Sequence, residues 1–229
     1  TVSANTTSGF SIVKYTGNGT GNSTIGHGLG ATPKFIIVKC ISAVQSWGTY
    51  SPSFVSASEP RVLYLNQTGS YANDTNVWGT SAAFNNNTFT VGDWAGSNAS
   101  GQTFIAYCFS EKQGYSKFGS YVGNGNADGT FVYTGFSPAF VMIKETSGVG
   151  GWRIYDSQRP TYNDKYGLIA DATDVEETAT NRNKIDQLSN GFKLRMQYDD
   201  TNGTGGSYIY MAFAEAPLVG SNNTPCTAR

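Results

Sequence analysis

The chain has 229 residues, enough for one large or two small domains, with 38% hydrophobic residues and 14% charged ones, against roughly 25% charged in an ordinary globular domain. A net charge of -1 and the lack of any Lys/Arg run argue against nucleic acid or an anionic membrane as partner, since both need a basic footprint. Gly, Asn, Ser and Thr must supply the polar surface, and they favour turns and loops, while the 14% aromatic content suits strands.

In chain order, Thr1 is followed by polar residues with no leader-like apolar stretch. Phe10 to Tyr15 alternates apolar and polar, the pattern of a half-buried strand, and Asn18-Gly19 is a turn dipeptide. After the glycine-rich patch Gly26 to Gly30, the continuous run Phe35 to Val38 predicts a central strand. Trp47 and Tyr50 follow, then the Ser-rich stretch Ser51 to Glu59, the strand around Phe89 and the apolar run Phe104 to Phe109. These stretches are strand-sized, too short to span a bilayer. A short linker, Lys112 to Ser116, precedes a second series: Tyr121 to Gly125, Phe140 to Ile143, Trp152, Tyr155, Phe192 and Tyr208 to Phe213. Leu168 to Asn190 runs long without Gly or Pro; within it Asp174 to Thr180 fits a short helix or a loop equally well.

The second series repeats the first. Tyr15-Thr16-Gly17-Asn18-Gly19 recurs as Tyr121-Val122-Gly123-Asn124-Gly125, 106 residues on. Pro33 to Lys39 recurs as Pro138 to Lys144, and Trp47 and Tyr50 as Trp152 and Tyr155, at an offset of 105. Phe89 matches Phe192, and Asn98 to Glu111 matches Asn202 to Glu215. Five blocks in one order, with nearly constant offset, mark an internal repeat. The expected fold is all-β: two tandem β-sandwich repeats related by internal duplication, residues 1–113 and 114–229. Trp47 should occupy the place of Trp152, both as core anchors, and Pro33 that of Pro138.

Few residues invite a chemical role. His27 stands alone, and a turn position shared with Tyr133 explains it better than catalysis. Gly26 to Gly30 lacks the Lys-Ser/Thr of a phosphate loop. Asp164, Asp171, Asp174, Glu176, Glu177 and Asp199-Asp200 are acids of solvated loops, with no pair fixed across a cleft and no calcium-loop motif. Cys40, Cys108 and Cys226 fit neither a disulfide set nor a zinc motif, and the first two read as buried small hydrophobes. Nine Asn-x-Ser/Thr triplets, at Asn5, Asn18, Asn22, Asn66, Asn73, Asn86, Asn98, Asn202 and Asn222, fit chance in an Asn/Thr-rich chain. No cofactor and no metal are expected. Tyr71, Trp78 and Trp94 do not repeat and lie among amides and hydroxyls, which makes them candidates for stacking on a sugar; packing onto the sandwich is the alternative.

The repeated blocks carry a resemblance. Tyr15 to Gly19, Gly26 to Lys39, Ile105 to Glu111 and Gly114 to Tyr121, with Phe131 to Phe136, Ile185 to Leu194 and Tyr208 to Glu215, resemble a domain common in predicted virion proteins of marine tailed bacteriophages. The likeness covers about residues 10 to 217. It implies a non-enzymatic tail-fibre, tail-tip or head-surface protein on the outside of the virion, in contact with other virion proteins. It supplies no catalytic residues. The expected function is attachment to a host surface glycan or receptor, with a capsid-decoration or fibre-assembly module as the alternative and a secreted glycan-active enzyme as a remote third. A homo-oligomer, a trimer, is expected because weak sugar sites gain avidity from symmetry.

Overall fold

The computed structural model describes residues 1–56, 58–80, 82–159, 167–176 and 185–215. The protein is all-β, built from antiparallel sheets and three single-turn helices among the described residues. It divides into two compact units: residues 1–67 with 71–111, and residues 68–70 with 112–229.

In the first unit the strands are β1 (Val2–Asn5), β2 (Phe10–Thr16), β3 (Ser23–Gly26), β4 (Phe35–Cys40), β5 (Gly48–Tyr50), β6 (Arg61–Tyr64), β7 (Ala72–Asn73), β8 (Thr88–Val91) and β9 (Thr103–Phe109). The main sheet has the order β1-β2-β9-β4-β5-β6-β7, and β3 pairs with β8 as a separate ribbon. Alternation along β9 buries Phe104, Ala106 and Cys108 and turns Ile105, Tyr107 and Phe109 outward. Phe89 of the ribbon meets Tyr15 of the sheet edge-on at 6.3 Å, so the core lies between the two layers. Helices α1 (Thr75–Trp78) and α2 (Ala95–Asn98) lie on either side of β8 in the chain. Asp74 caps α1 by accepting from the Asn76 amide at 2.9 Å.

In the second unit β10 (Ser116–Val122), β17 (Ser207–Ala214), β12 (Pro138–Glu145), β13 (Arg153–Asp156) and β14 (Leu168–Ile169) form one sheet in that order. A second sheet runs β11 (Phe131–Tyr133), β16 (Gly191–Leu194), β15 (Ile185–Leu188). Val141, Ile143, Tyr155, Tyr208 and Tyr210 from the first sheet pack with Val132, Ile185, Phe192 and Leu194 from the second. Helix α3 (Asp199–Asn202) precedes β17. Asp174 to Glu176 is not helical; the rest of that stretch, Asp164, Cys226 and the C-terminal tail lie outside the described residues.

The same internal pattern occurs in each unit. The order β2-β9-β4-β5-β6 is matched by β10-β17-β12-β13-β14, and β3-β8 by β11-β16. Pro33 lies just before β4, and Pro138 opens β12. Trp47 and Trp152 both immediately precede the strand after the central one; their carbonyls accept from Leu65 and Ala170, and their amides donate to Asn66 Oδ1 and Asp171 Oδ1.

The Tyr-x-Gly-Asn-Gly block acquires a structural reason. Tyr15 Oη donates to the Ser97 carbonyl at 2.6 Å, and Tyr121 Oη to the Thr201 carbonyl at 2.7 Å. The Asn98 side-chain amide donates to Asn18 Oδ1, the Thr20 carbonyl and the Gly92 carbonyl, while its oxygen accepts from the Asn18 amide. Asn202 makes the same set with Asn124, Asn126 and Met196. A Cβ on Gly17 would sit 2.3 Å from the Ala99 carbonyl oxygen, and one on Gly123 2.3 Å from that of Gly203, so only glycine lets these turns approach. Asn98 and Asn202 are buried, so neither triplet presents a glycan acceptor.

Candidate functional site

Trp78 is fully buried and edge-on to Tyr50 and Phe84, each 5.9 Å away, so it presents no face for stacking and belongs to the core. Trp94, half-buried at the start of α2, lies over Gly48 and Gly96 and 5.4 Å from Tyr64. The half-buried Tyr71 ring has the Arg61 guanidinium 4.1 Å from its centroid. No ring contact joins any two of these three among the described residues; the fold does not assemble them.

Two expectations need correction. Trp152 is a core anchor, but Trp47 is half-exposed: its ring faces outward beside Lys39, whose ammonium lies 5.5 Å from the ring centroid. Tyr133 does not take the place of His27. Ile25 pairs with Phe89 and Val132 with Phe192, so His27 corresponds to Thr134, and their amides bond the Asn87 and Asn190 carbonyls. His27 is buried: Leu29 N–H donates to its Nδ1, which leaves Nε2–H to donate to the Asn85 carbonyl at 3.0 Å. Burial lowers its pKa and holds the ring neutral, a structural role.

The exposed face of the first unit carries a depression of about 560 Å³, within the range of small-molecule sites. Its floor is sheet: Lys39 lies directly opposite Ile105, and Tyr107 stands two residues along on the same face. Its wall is the loop after β4, where Ile41 is 51% and Val44 99% exposed, and Trp47 closes it. Lys39 Nζ donates to the Gln45 carbonyl, which fixes the ammonium within the loop. Ser42 adds polarity; its hydroxyl donates to Gln102 Oε1 and accepts from the Thr103 amide. Two half-exposed rings, apolar walls and one cation suit non-covalent capture of a small ring. Sequence reasoning missed this site because every residue from Phe104 to Phe109 is apolar, which hides the outward face, and because the repeat assigned Trp47 to the core. The extra apolar residues Ile41 and Val44, beyond the strand, are the signal that could have found it.

The second unit holds a buried charge cluster. Arg153 Nε donates to Asp200 Oδ2 at 2.8 Å and its Nη2 to Tyr198 Oη at 2.9 Å. Lys144 Nζ donates to the Gly150 carbonyl at 2.7 Å and the Thr68 carbonyl at 3.0 Å. Burial pushes the Lys144 pKa down to about 8 against the opposing pull of Asp171, Glu145 and Asp200, and burial raises that of Glu145. These groups answer one another and hold the loop after β12 in place. Cys40 and Cys108 are buried free thiols, and burial pushes the Cys108 pKa up to about 12. Among the described residues no group of three or more His, Cys, Asp or Glu side chains gathers to hold a metal ion.

The chain belongs to the family described as a domain of unknown function (DUF7483), whose model matches residues 1–217. No curated protein and no solved structure matches the chain.

Proposed function

We propose that this chain is a non-enzymatic virion surface module of a tailed bacteriophage, part of a tail fibre, tail tip or head appendage, that binds a host surface glycan. The resemblance of the repeated blocks to phage virion proteins supports the setting. One observation carries the binding reading: Trp47 and Tyr107, both half-exposed, line one depression with exposed apolar walls and no carboxylate. Aromatic faces stack on the apolar faces of sugars; Tyr107 stands on the sheet floor, and Trp47 sits immediately before β5, tied to Leu65 and Asn66 by its backbone bonds. On this reading the two units descend from one duplicated domain whose exposed faces diverged. Several copies, as in a trimer, raise a weak single-site affinity to useful avidity.

The second reading, an assembly module in contact with other virion proteins, is favoured by Phe131 and Tyr133, 44% and 63% exposed on the edge strand β11, with Val122 59% exposed. Exposed apolar groups on an edge strand suit contact with another chain. The test is binding of fluorescent protein to host cells and to a glycan array, with Trp47→Ala and Phe131→Ser/Tyr133→Ser variants beside the parent. Loss of binding by Trp47→Ala at unchanged melting temperature supports the glycan reading. Full binding by that variant, with oligomer loss confined to the β11 variant, transfers the function to assembly.

A further inference from the structure

We infer that the depression on the first unit takes a carboxylate-bearing sugar ring, with the acid group on Lys39 and an apolar face of the sugar against Trp47 and Tyr107. The inference rests on the glycan-binding reading and narrows it to acidic glycans, such as hexuronates or sialic acids.

Two lysines stand in matching register. Lys39 on β4 lies opposite Ile105 of β9, and Lys144 on β12 lies opposite Ile209 of β17. Each donates to the carbonyl of the residue six positions along the following loop, Gln45 and Gly150. Their electrostatic settings differ. Lys144 is buried and feels three carboxylates, Asp171, Glu145 and Asp200. Each of those acids has an uncharged counterpart in the first unit. Asn66 accepts from the Trp47 amide as Asp171 does from the Trp152 amide. Cys40 follows Lys39 as Glu145 follows Lys144, and Gly96 stands two residues before Asn98 as Asp200 stands two before Asn202.

Lys39 therefore keeps the loop-holding bond but has no carboxylate beside it among the described residues. It is the one charged side chain that lines the depression. An ammonium has three N–H donors, and Lys39 commits one to Gln45; its other contact is the Trp47 ring. A cation beside exposed rings, in an apolar setting without an internal counter-ion, matches a ligand that joins an apolar face to a single negative charge. A neutral sugar would leave the ammonium to water and make no use of its charge. A bare phosphate or sulfate would leave the rings unused.

The test is titration of the intact chain with sialyllactose and a galacturonate oligomer, with lactose and cellobiose as neutral controls, at low and high salt. The expected result is preference for the acidic sugars, weakened by salt because a partly exposed ion pair is screened. Lys39→Gln should lower acidic-sugar affinity by about fivefold to tenfold and remove both its salt dependence and the preference over neutral sugars, while Trp47→Ala should lower affinity for acidic and neutral sugars alike. Melting curves check that both variants fold, and the salt dependence of the parent chain tests the ion pair without any variant. Equal affinity for acidic and neutral sugars, independent of salt and of Lys39, overturns this inference and leaves the glycan reading standing. No binding of any of the four sugars overturns both.

Discussion

Asn98 should be one of the most costly side chains to remove from the first unit. Its amide nitrogen faces Asn18 Oδ1 at 3.1 Å, the Thr20 carbonyl at 2.8 Å and the Gly92 carbonyl at 2.8 Å, and its oxygen takes the Asn18 amide at 3.0 Å. Truncation to Ala removes one accepted bond and the bonds of two N–H donors shared among three acceptors, each bond worth about 0.5–1.5 kcal/mol net, though Asn18 and Thr20 lie at the surface and regain water. The Gly92 carbonyl is buried and does not, and such an orphan costs about 1–3 kcal/mol by itself. The expected total is about 2–4 kcal/mol, a large part of the roughly 5–15 kcal/mol that holds a domain folded. Asn98→Asp is the sharper variant. It keeps the shape but turns a second acceptor toward three oxygens, so at neutral pH it should cost at least as much as Ala. Its deficit should shrink in acid, as the carboxyl gains a proton it can donate. Urea unfolding, followed by tryptophan fluorescence in a Trp152→Phe background so that only Trp47, Trp78 and Trp94 report, reads the first unit, and Asn202→Ala in the chain that keeps Trp152 provides the parallel measurement in the second. A cost below about 1 kcal/mol for Asn98→Ala, or an Asp variant more stable than the Ala variant at neutral pH, refutes the donor-clamp argument.

Trp78→Ala should destabilise by about 3–5 kcal/mol, because it empties a fully buried site. Trp78→Phe should cost much less, since it also removes an indole N–H that has no acceptor among the described residues; thermal melts of the two compare them directly. His27 has a folded pKa below its unfolded value of 6.5, so the unfolded chain binds more protons in acid. The His27 contribution to stability should be level above about pH 7 and be lost as pH drops below 6.5; His27→Asn should flatten that slope in melts taken from pH 7.5 to 5. Lys144 is also lowered, to about 8 from 10.5, so between these values the unfolded chain holds the extra proton at this site and the Lys144 contribution to stability rises with pH, against the opposite slope of the buried Cys108 thiol and Tyr15 and Tyr121 hydroxyls, whose pKa values burial raises. Lys144→Met removes that contribution, so in urea unfolding at pH 7.5, 9 and 10 the stability of the parent relative to the variant should rise with pH.

Much of the fold was legible in the sequence. Phe10 to Tyr15, the apolar runs Phe35 to Val38 and Tyr208 to Phe213, and the turn pair Asn18-Gly19 each form the expected local structure, because strand period and positive-φ turns depend on neighbouring residues alone, although β2 buries Ser11 and exposes Ile12, against the apolar/polar alternation. The ordered repeats likewise announced matching strand orders, since similar blocks in the same order find the same pairings. Burial was not legible, because it depends on which distant residues cover a side chain. Trp78 lies in a polar stretch, Val77 its only apolar neighbour, yet is enclosed by Tyr50 and Phe84, while Trp47, in the position of the buried Trp152, stays half in solvent. Lys39 and Lys144 show the same division: the sequence places both at the end of an apolar run, six residues from the carbonyl each will bond. Only the tertiary structure surrounds one with carboxylates and leaves the other beside open aromatic rings, because a charge's partners are set by proximity in space rather than along the chain.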